Sequence, residues 1–180
     1  MQVQQGTYEE IDESIPEENK LELRFRKEVE GVECDEITEE EAAEYIPIAQ
    51  AMIEFTINNG GMGLSAPQVG INKRLIVWMG KDNTFHIGFN PTFFKKEKKF
   101  INTVEGCLSY PDEEYFIEKR HKYIQAVYYA VSQTGKLIKV ARAMRPDESI
   151  VYQHEVEHIN GITIAMRGKK IATEQNKETD

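Results

Sequence analysis

Two cysteines in 180 residues, Cys34 and Cys107, are too few for a disulfide framework. We therefore expect a reducing, cytoplasmic setting in which a thiol is free to ligate metal. No apolar run is long enough to span a membrane. Residues 1–6 have neither the basic start nor the apolar core of a secretion signal. Basic charge is also scarce: 22 Lys and Arg face 31 Asp and Glu, a net charge of -9. A nucleic-acid binder needs a basic face, so this balance argues against that class of partner. No membrane partner is expected either, and the chain is expected to be a monomer.

What is present reads as one soluble domain. Apolar residues make up 40% and charged residues 29%, and the length is enough to bury a sizeable core. Residues 1–19 are acidic with few apolar anchors, which predicts a loosely ordered arm. Residues 20–168 form the body, and residues 169–180 a polar, fraying tail. Leu21, Leu23 and Phe25 alternate with polar residues, which predicts a strand. Thr38-Glu39-Glu40-Glu41 is a capping box that opens a helix, interrupted or restarted at Pro47 and stopped by Asn58-Asn59-Gly60-Gly61. Strands are predicted over 74–79 and over 85–89, the latter closed by Asn90-Pro91. Residues 93–101 form an exposed lysine-rich segment, and 122–131 with 136–142 form a hairpin. A last helix starts at Pro146 and ends at Asn160-Gly161. Helix, strands, then helix is not an alternating βαβ series. The predicted class is α+β, with antiparallel sheets packed around a C-terminal metal-binding HExxH helix and an N-terminal helix.

The chemistry concentrates in that last helix. In His154-Glu155-Val156-Glu157-His158 the two histidines stand about 40° apart on the helix surface. They can share one metal ion, and Glu155 stands within reach of a water beside it. The bland alternative is a solvated helix face carrying scattered polar residues. Against it, Ile150, His154 and His158 share one row, Val151, Glu155 and Ile159 the next, and both rows look core-facing. An unpaired carboxylate among them would cost several kcal/mol, on the order of the penalty for a buried ion. A catalytic site needs a third ligand. Downstream only Glu174 and Glu178 remain, in the polar tail, so the third ligand is expected upstream. Cys107, in Glu105-Gly106-Cys107-Leu108-Ser109, is the best candidate. Cys34, His86 and His121 are weaker. Gln68, in a glycine-rich loop over 60–70, has an amide that could donate to a substrate oxygen.

Three stretches together resemble the motifs of the peptide deformylases: residues 61–68 (GMGLSAPQ), 105–109 (EGCLS) and 153–158 (QHEVEH). The resemblance implies hydrolysis of the formyl group from nascent N-formylmethionyl peptides, with water as nucleophile and Glu155 as general acid/base. It implies one divalent ion, Fe2+ in the cell, replaceable by Zn2+, Ni2+ or Co2+, held by Cys107, His154 and His158. It gives Gln68 and the Leu108 N–H to the oxyanion, and Met62, Gly63, Ile150 and Val151 to the substrate. It makes Glu105 a support for a ligand. Ser65 and Glu157 stand where alanine and aspartate are usual. Asp112-Glu113-Glu114 stands where many members carry a peptide-binding arginine, for which Lys119 or Arg120 could substitute. The chain ends soon after the third motif, like the short forms found in bacteriophages. Two other readings stay open: a zincin-type metalloprotease, and a catalytically altered deformylase-like binding protein.

Overall fold

The computed structural model describes residues 21–95 and 97–171. The acidic arm and most of the polar tail lie outside them. Helix α1 (Tyr45–Asn58) is followed by strands β1 (Gly63–Ser65), β2 (Leu75–Met79), β3 (Phe85–Lys95), β4 (Phe100–Cys107), β5 (Tyr110–His121), β6 (Ile124–Val131) and β7 (Leu137–Met144). Helix α2 (Pro146–His158), the short α3 (Ile164–Arg167) and strand β8 (Lys169–Lys170) close the order. One sheet runs β1-β2-β3-β6-β7 and the other β4-β5-β8. Every strand pairing is antiparallel. The α+β class with antiparallel sheets and a C-terminal helix is therefore observed. No helix among the described residues is long and apolar enough to cross a membrane.

Several expectations change in detail. Residues 21–25 make no strand ladder. Leu21 and Leu23 still pack on the core beside α1, and the Arg24 N–H donates to the Gln68 carbonyl at 2.7 Å. The capping box forms, with Thr38 N to Glu41 Oε2 at 3.0 Å and Glu41 N to Thr38 Oγ1 at 3.3 Å. It closes a turn, however, and α1 begins only at Tyr45, with Pro47 in its first turn. Strand β3 does not stop at Asn90-Pro91; its register shifts there and continues to Lys95. The extra residue is absorbed as a bulge, and the Asn90 side chain uses it to clamp Ile37, accepting from its N–H and donating to its carbonyl at 2.8 Å each. The tail begins later than expected. Lys169 and Lys170 pair with Phe116 and Tyr115, and the Ile171 N–H donates to the Glu114 carbonyl.

Helix α2 packs against β1, β2 and β3 of the large sheet and against β5 of the small one. Its apolar side supplies Tyr152 and Val156, and the residue after its end Ile159, to a core with Ile76, Trp78, Ile124 and Met144. Gln153 ties it to the small sheet. Its amide oxygen accepts from the His121 N–H at 2.9 Å, and its amide nitrogen donates to the His121 carbonyl at 2.8 Å. That side chain extends a ladder edge as a strand would, which fixes the helix's rotation and the direction of the histidines after it.

The helix ends where Gly161 turns left-handed, at φ 72°. A Cβ there would also lie 2.9 Å from the Gly31 Cα. The αL conformation and the clash should together cost about 2–4 kcal/mol in Gly161→Ala. Urea unfolding of the metal-free protein checks this, and an unchanged midpoint would contradict the packing described.

Candidate metal and active site

Two elements deliver the chemical groups. Helix α2 turns His154, Glu155 and His158 inward, all buried. Strand β4 delivers Cys107 as its last residue, before the tight turn at Leu108-Ser109. Asp112, Glu113 and Glu114 follow on strand β5. Cys107 Sγ stands 3.3 Å from His158 Nε2, which stands 3.2 Å from His154 Nε2. The three donor atoms all lie within 4.8 Å of one another. Ile150 and Val151, a turn earlier on α2, are half-buried.

The donor set fits a metal ion. Metal–nitrogen bonds of about 2.0–2.1 Å in a tetrahedron imply edges of roughly 3.3 Å, close to the observed separations. His154 Nδ1 contacts Glu105 Oε2 at 2.9 Å; donating there leaves Nε2 with its lone pair toward the cluster. Burial disfavours charge on His154, yet its Cys107 and Glu105 contacts raise its pKa well above the ordinary value. Burial and neighbouring His154 lower His158 well below it. The cluster thus draws positive charge to its centre, the demand a divalent cation meets. Glu155 is 4% exposed, and its Oε2 has no hydrogen-bond partner among the described residues. Burial pushes its carboxyl up to about 7.

Behind His154 stands a buried ionic network. Arg120, 1% exposed, forks onto Glu105 with Nε and Nη2 both at 2.8 Å. Its Nη1 reaches Glu157 Oε1 at 2.7 Å. Glu157 also receives Arg167 Nε at 3.2 Å. Although Glu105 is buried, Arg120 and His154 hold its carboxyl well below the usual range. Arg120 is therefore not available as the peptide-binding cation for which it was a candidate. The register shifts between Ile101 and Thr103, and Lys119 takes a positive φ of 60°. That bulge returns Arg120 to the inner face. No sequence alternation announces it.

Gln68 lies in a single 3-10 turn, Ala66–Val69. Its Oε1 accepts from Ser65 N at 2.9 Å and Ser65 Oγ at 2.8 Å, so Ser65 adds the hydrogen bond alanine could not. Its Nε2 points at Cys107 Sγ, 3.4 Å away, and at Ser109 Oγ, 3.1 Å away. Gly63 sits against the glutamate: a Cβ there would stand 2.6 Å from Glu155 Oε1. Met62, Gly63, Gln68, Leu108, Ile150 and Val151 line one open cavity of about 1110 Å³ together with Cys107, His154 and Glu155. The other histidines and the second cysteine stay outside it. His86 stacks on Trp78, His121 packs near Phe100, and burial pushes the Cys34 thiol up to about 11.

Two imidazoles and a thiol beside a buried carboxyl, at the wall of a groove, are a donor set and acid/base group of the kind a mononuclear metallohydrolase requires. The sequence model for the polypeptide deformylase family matches residues 24–174. The chain is 38% identical over 113 residues to the peptide deformylase of Buchnera aphidicola, covering 61% of this chain and 72% of that one. It is 36% identical over 119 residues to that of Thermotoga petrophila, covering 66% and 68%. Its fold superposes on the crystal structure of Thermotoga maritima peptide deformylase with a TM-score of 0.71 at 28% identity, over 83% of this chain and 97% of that one. A class I type b peptide deformylase from Acinetobacter baumannii gives 0.74 at 26% identity, over 82% and 98%. The chain belongs to the polypeptide deformylase family.

The network yields a test. Arg120→Met leaves Glu105 buried without its guanidinium. We expect a loss of about 3–5 kcal/mol in metal-free stability and roughly 10- to 100-fold weaker metal binding. Chelator competition and urea melts would measure both; wild-type values in each would contradict the bracing role.

Proposed function

We propose that this chain hydrolyses the terminal formamide of N-formylmethionyl nascent peptides, releasing formate and a free amino terminus. The observation that carries the reading is the Cys107–His154–His158 cluster beside the unpartnered Glu155, in a chain of this family. Cys107, His154 and His158 would hold one divalent ion, Fe2+ as the native one, with Zn2+, Ni2+ or Co2+ able to replace it. When bound, such an ion acts as a Lewis acid and lowers the pKa of water to about 7 in favourable cases.

The chain's own groups divide the remaining work. Glu155 takes a proton from the attacking water as its oxygen bonds to the formyl carbon. Glu155 then returns that proton to the nitrogen as the C–N bond breaks. Burial raises the Glu155 carboxyl and a neighbouring cation would lower it, a balance that suits both transfers. The Gln68 amide and the Leu108 backbone N–H donate to the developing oxyanion. Gln68 is held for this by Ser65. Met62, Gly63, Ile150 and Val151 lie along the methionine side chain or the peptide backbone. Glu105 fixes the His154 ring. We assign the protein to the cytoplasm, acting as a monomer without nucleic-acid or membrane partners.

The deciding experiment is formate release from formyl-Met-Ala by Fe2+- or Ni2+-loaded protein. Wild type should turn over, and Glu155→Ala should retain metal yet lose about 10²- to 10⁴-fold in kcat. No formate from metal-loaded wild type, or equal rates in the two, would reject the assignment. Cys107→Ala should strip the metal. Retention there would favour the zincin alternative, whose downstream candidates Glu174 and Glu178 lie outside the described residues. Gly63→Ala should keep the metal but cost roughly 10²-fold in kcat by displacing Glu155; wild-type turnover would argue against that contact.

A further inference from the structure

The mouth of the groove carries charge of one sign. Among the described residues no lysine or arginine lines the cavity, whereas Glu105, Asp112, Glu113, Glu114 and Glu155 do. Two of these carboxylates are neutralised by the fold. Glu105 is held by Arg120. Glu113 is buried and meets Arg26 at 2.6 Å and Lys170 at 3.1 Å. Asp112 and Glu114 are exposed, and neither forms an ion pair among the described residues. Lys170, on the neighbouring strand, is already committed to Glu113.

Backbone geometry sets these two charges beside the reacting end. Glu114 pairs with Gly106, the residue before Cys107, and the next pair is Cys107 with Tyr110. The ladder therefore skips Pro111, Asp112 and Glu113, and Asp112 takes a φ of 61° within that bulge. A Cβ on Gly106 would meet nothing nearer than the Glu113 carbonyl at 3.9 Å, so the surface in front of Glu114 is open. The acidic pair is not an isolated cluster. The same cavity holds Glu155, 4% exposed with an unpartnered Oε2, which marks it as a ligand site. Asp112, Glu114 and Glu155 line the same cavity, so a peptide with its formyl group at Glu155 and its chain extended along the groove runs past the two carboxylates.

Resting on the proposed deformylase activity, we infer that Asp112 and Glu114 make the groove select formylmethionyl peptides with lysine or arginine shortly after the methionine, and disfavour acidic ones. The selection is electrostatic and lies at an exposed mouth, so it is modest and weakened by salt.

The test compares formyl-Met-Ala-Lys, formyl-Met-Ala-Gln and formyl-Met-Ala-Glu, all C-terminal amides, with Ni2+-loaded protein at low and high salt. We expect kcat/KM to fall in that order, with Lys favoured over Glu by about 5- to 10-fold at low salt and about 2-fold or less in 0.5 M NaCl. Asp112→Asn with Glu114→Gln should bring the two charged peptides to equal kcat/KM; asparagine tolerates the positive φ at 112. Glu114→Lys should reverse the order. Affinities of the unformylated Met-Ala-Lys and Met-Ala-Glu amides, measured by calorimetry, should show the same ratio without depending on turnover. Equal kcat/KM at low salt, or a ratio unchanged in the double variant, would overturn the inference and leave the deformylase activity standing. No formate from any peptide would overturn both.

Discussion

The contact between His154 Nδ1 and Glu105 Oε2 joins the two halves of this molecule. It spans from α2 to β4 in the small sheet, and Arg120 on β5 braces it from behind. One buried guanidinium satisfies Glu105 with a fork and Glu157 with its remaining nitrogen. A buried carboxylate without such a partner would be strongly destabilising. With it, Glu105 stays ionised and holds the imidazole with Nε2 facing the thiol of Cys107. Glu157, with one methylene more than aspartate, spans to both Arg120 and Arg167. The longer side chain therefore serves the network.

A second constraint follows from crowding the donors together. Three potential donor atoms within 4.8 Å, next to a carboxyl oxygen with no partner among the described residues, are electrostatically incomplete by themselves. Binding a cation there should couple to folding, because the cluster exists only when α2 and β4 are docked. Gly63 shows how tightly the wall closes on Glu155, since any side chain at 63 would enter its space. Gln68 is likewise held at both ends, by Ser65 and by Ser109. Strand β1, the 3-10 turn and the β4 end thus converge on one point of the cavity while the large sheet carries α2.

The floor of the groove is neutralised by internal pairs, and its mouth carries two acids on a bulged strand that are unpaired among the described residues. The same bulge that lets β5 leave its partner near Cys107 turns Asp112 outward. Selectivity and scaffold are set there by a single irregularity of the ladder.

The sequence by itself determined the helix with its two histidines and glutamate, the hairpin of β6 and β7 and the α+β class, and it pointed upstream to the cysteine that the fold brings beside the histidines. These were legible because they rest on local period and spacing: four residues bring two imidazoles to one helix face, and Ser-Gln-Thr-Gly breaks an alternating run. The part Arg120 plays, the clamp by Gln153, the extension of β3 through Asn90-Pro91 and the pairing of Lys169-Lys170 were decided only by the tertiary structure. Each depends on a bulge or on a partner distant in the chain. One inserted residue inverts which side chains of a strand face inward, so Arg120, a candidate to face the peptide, is buried in the fold. Separations such as 15 residues from Arg120 to Glu105 and 49 from His154 to Glu105 carry no local signal at all.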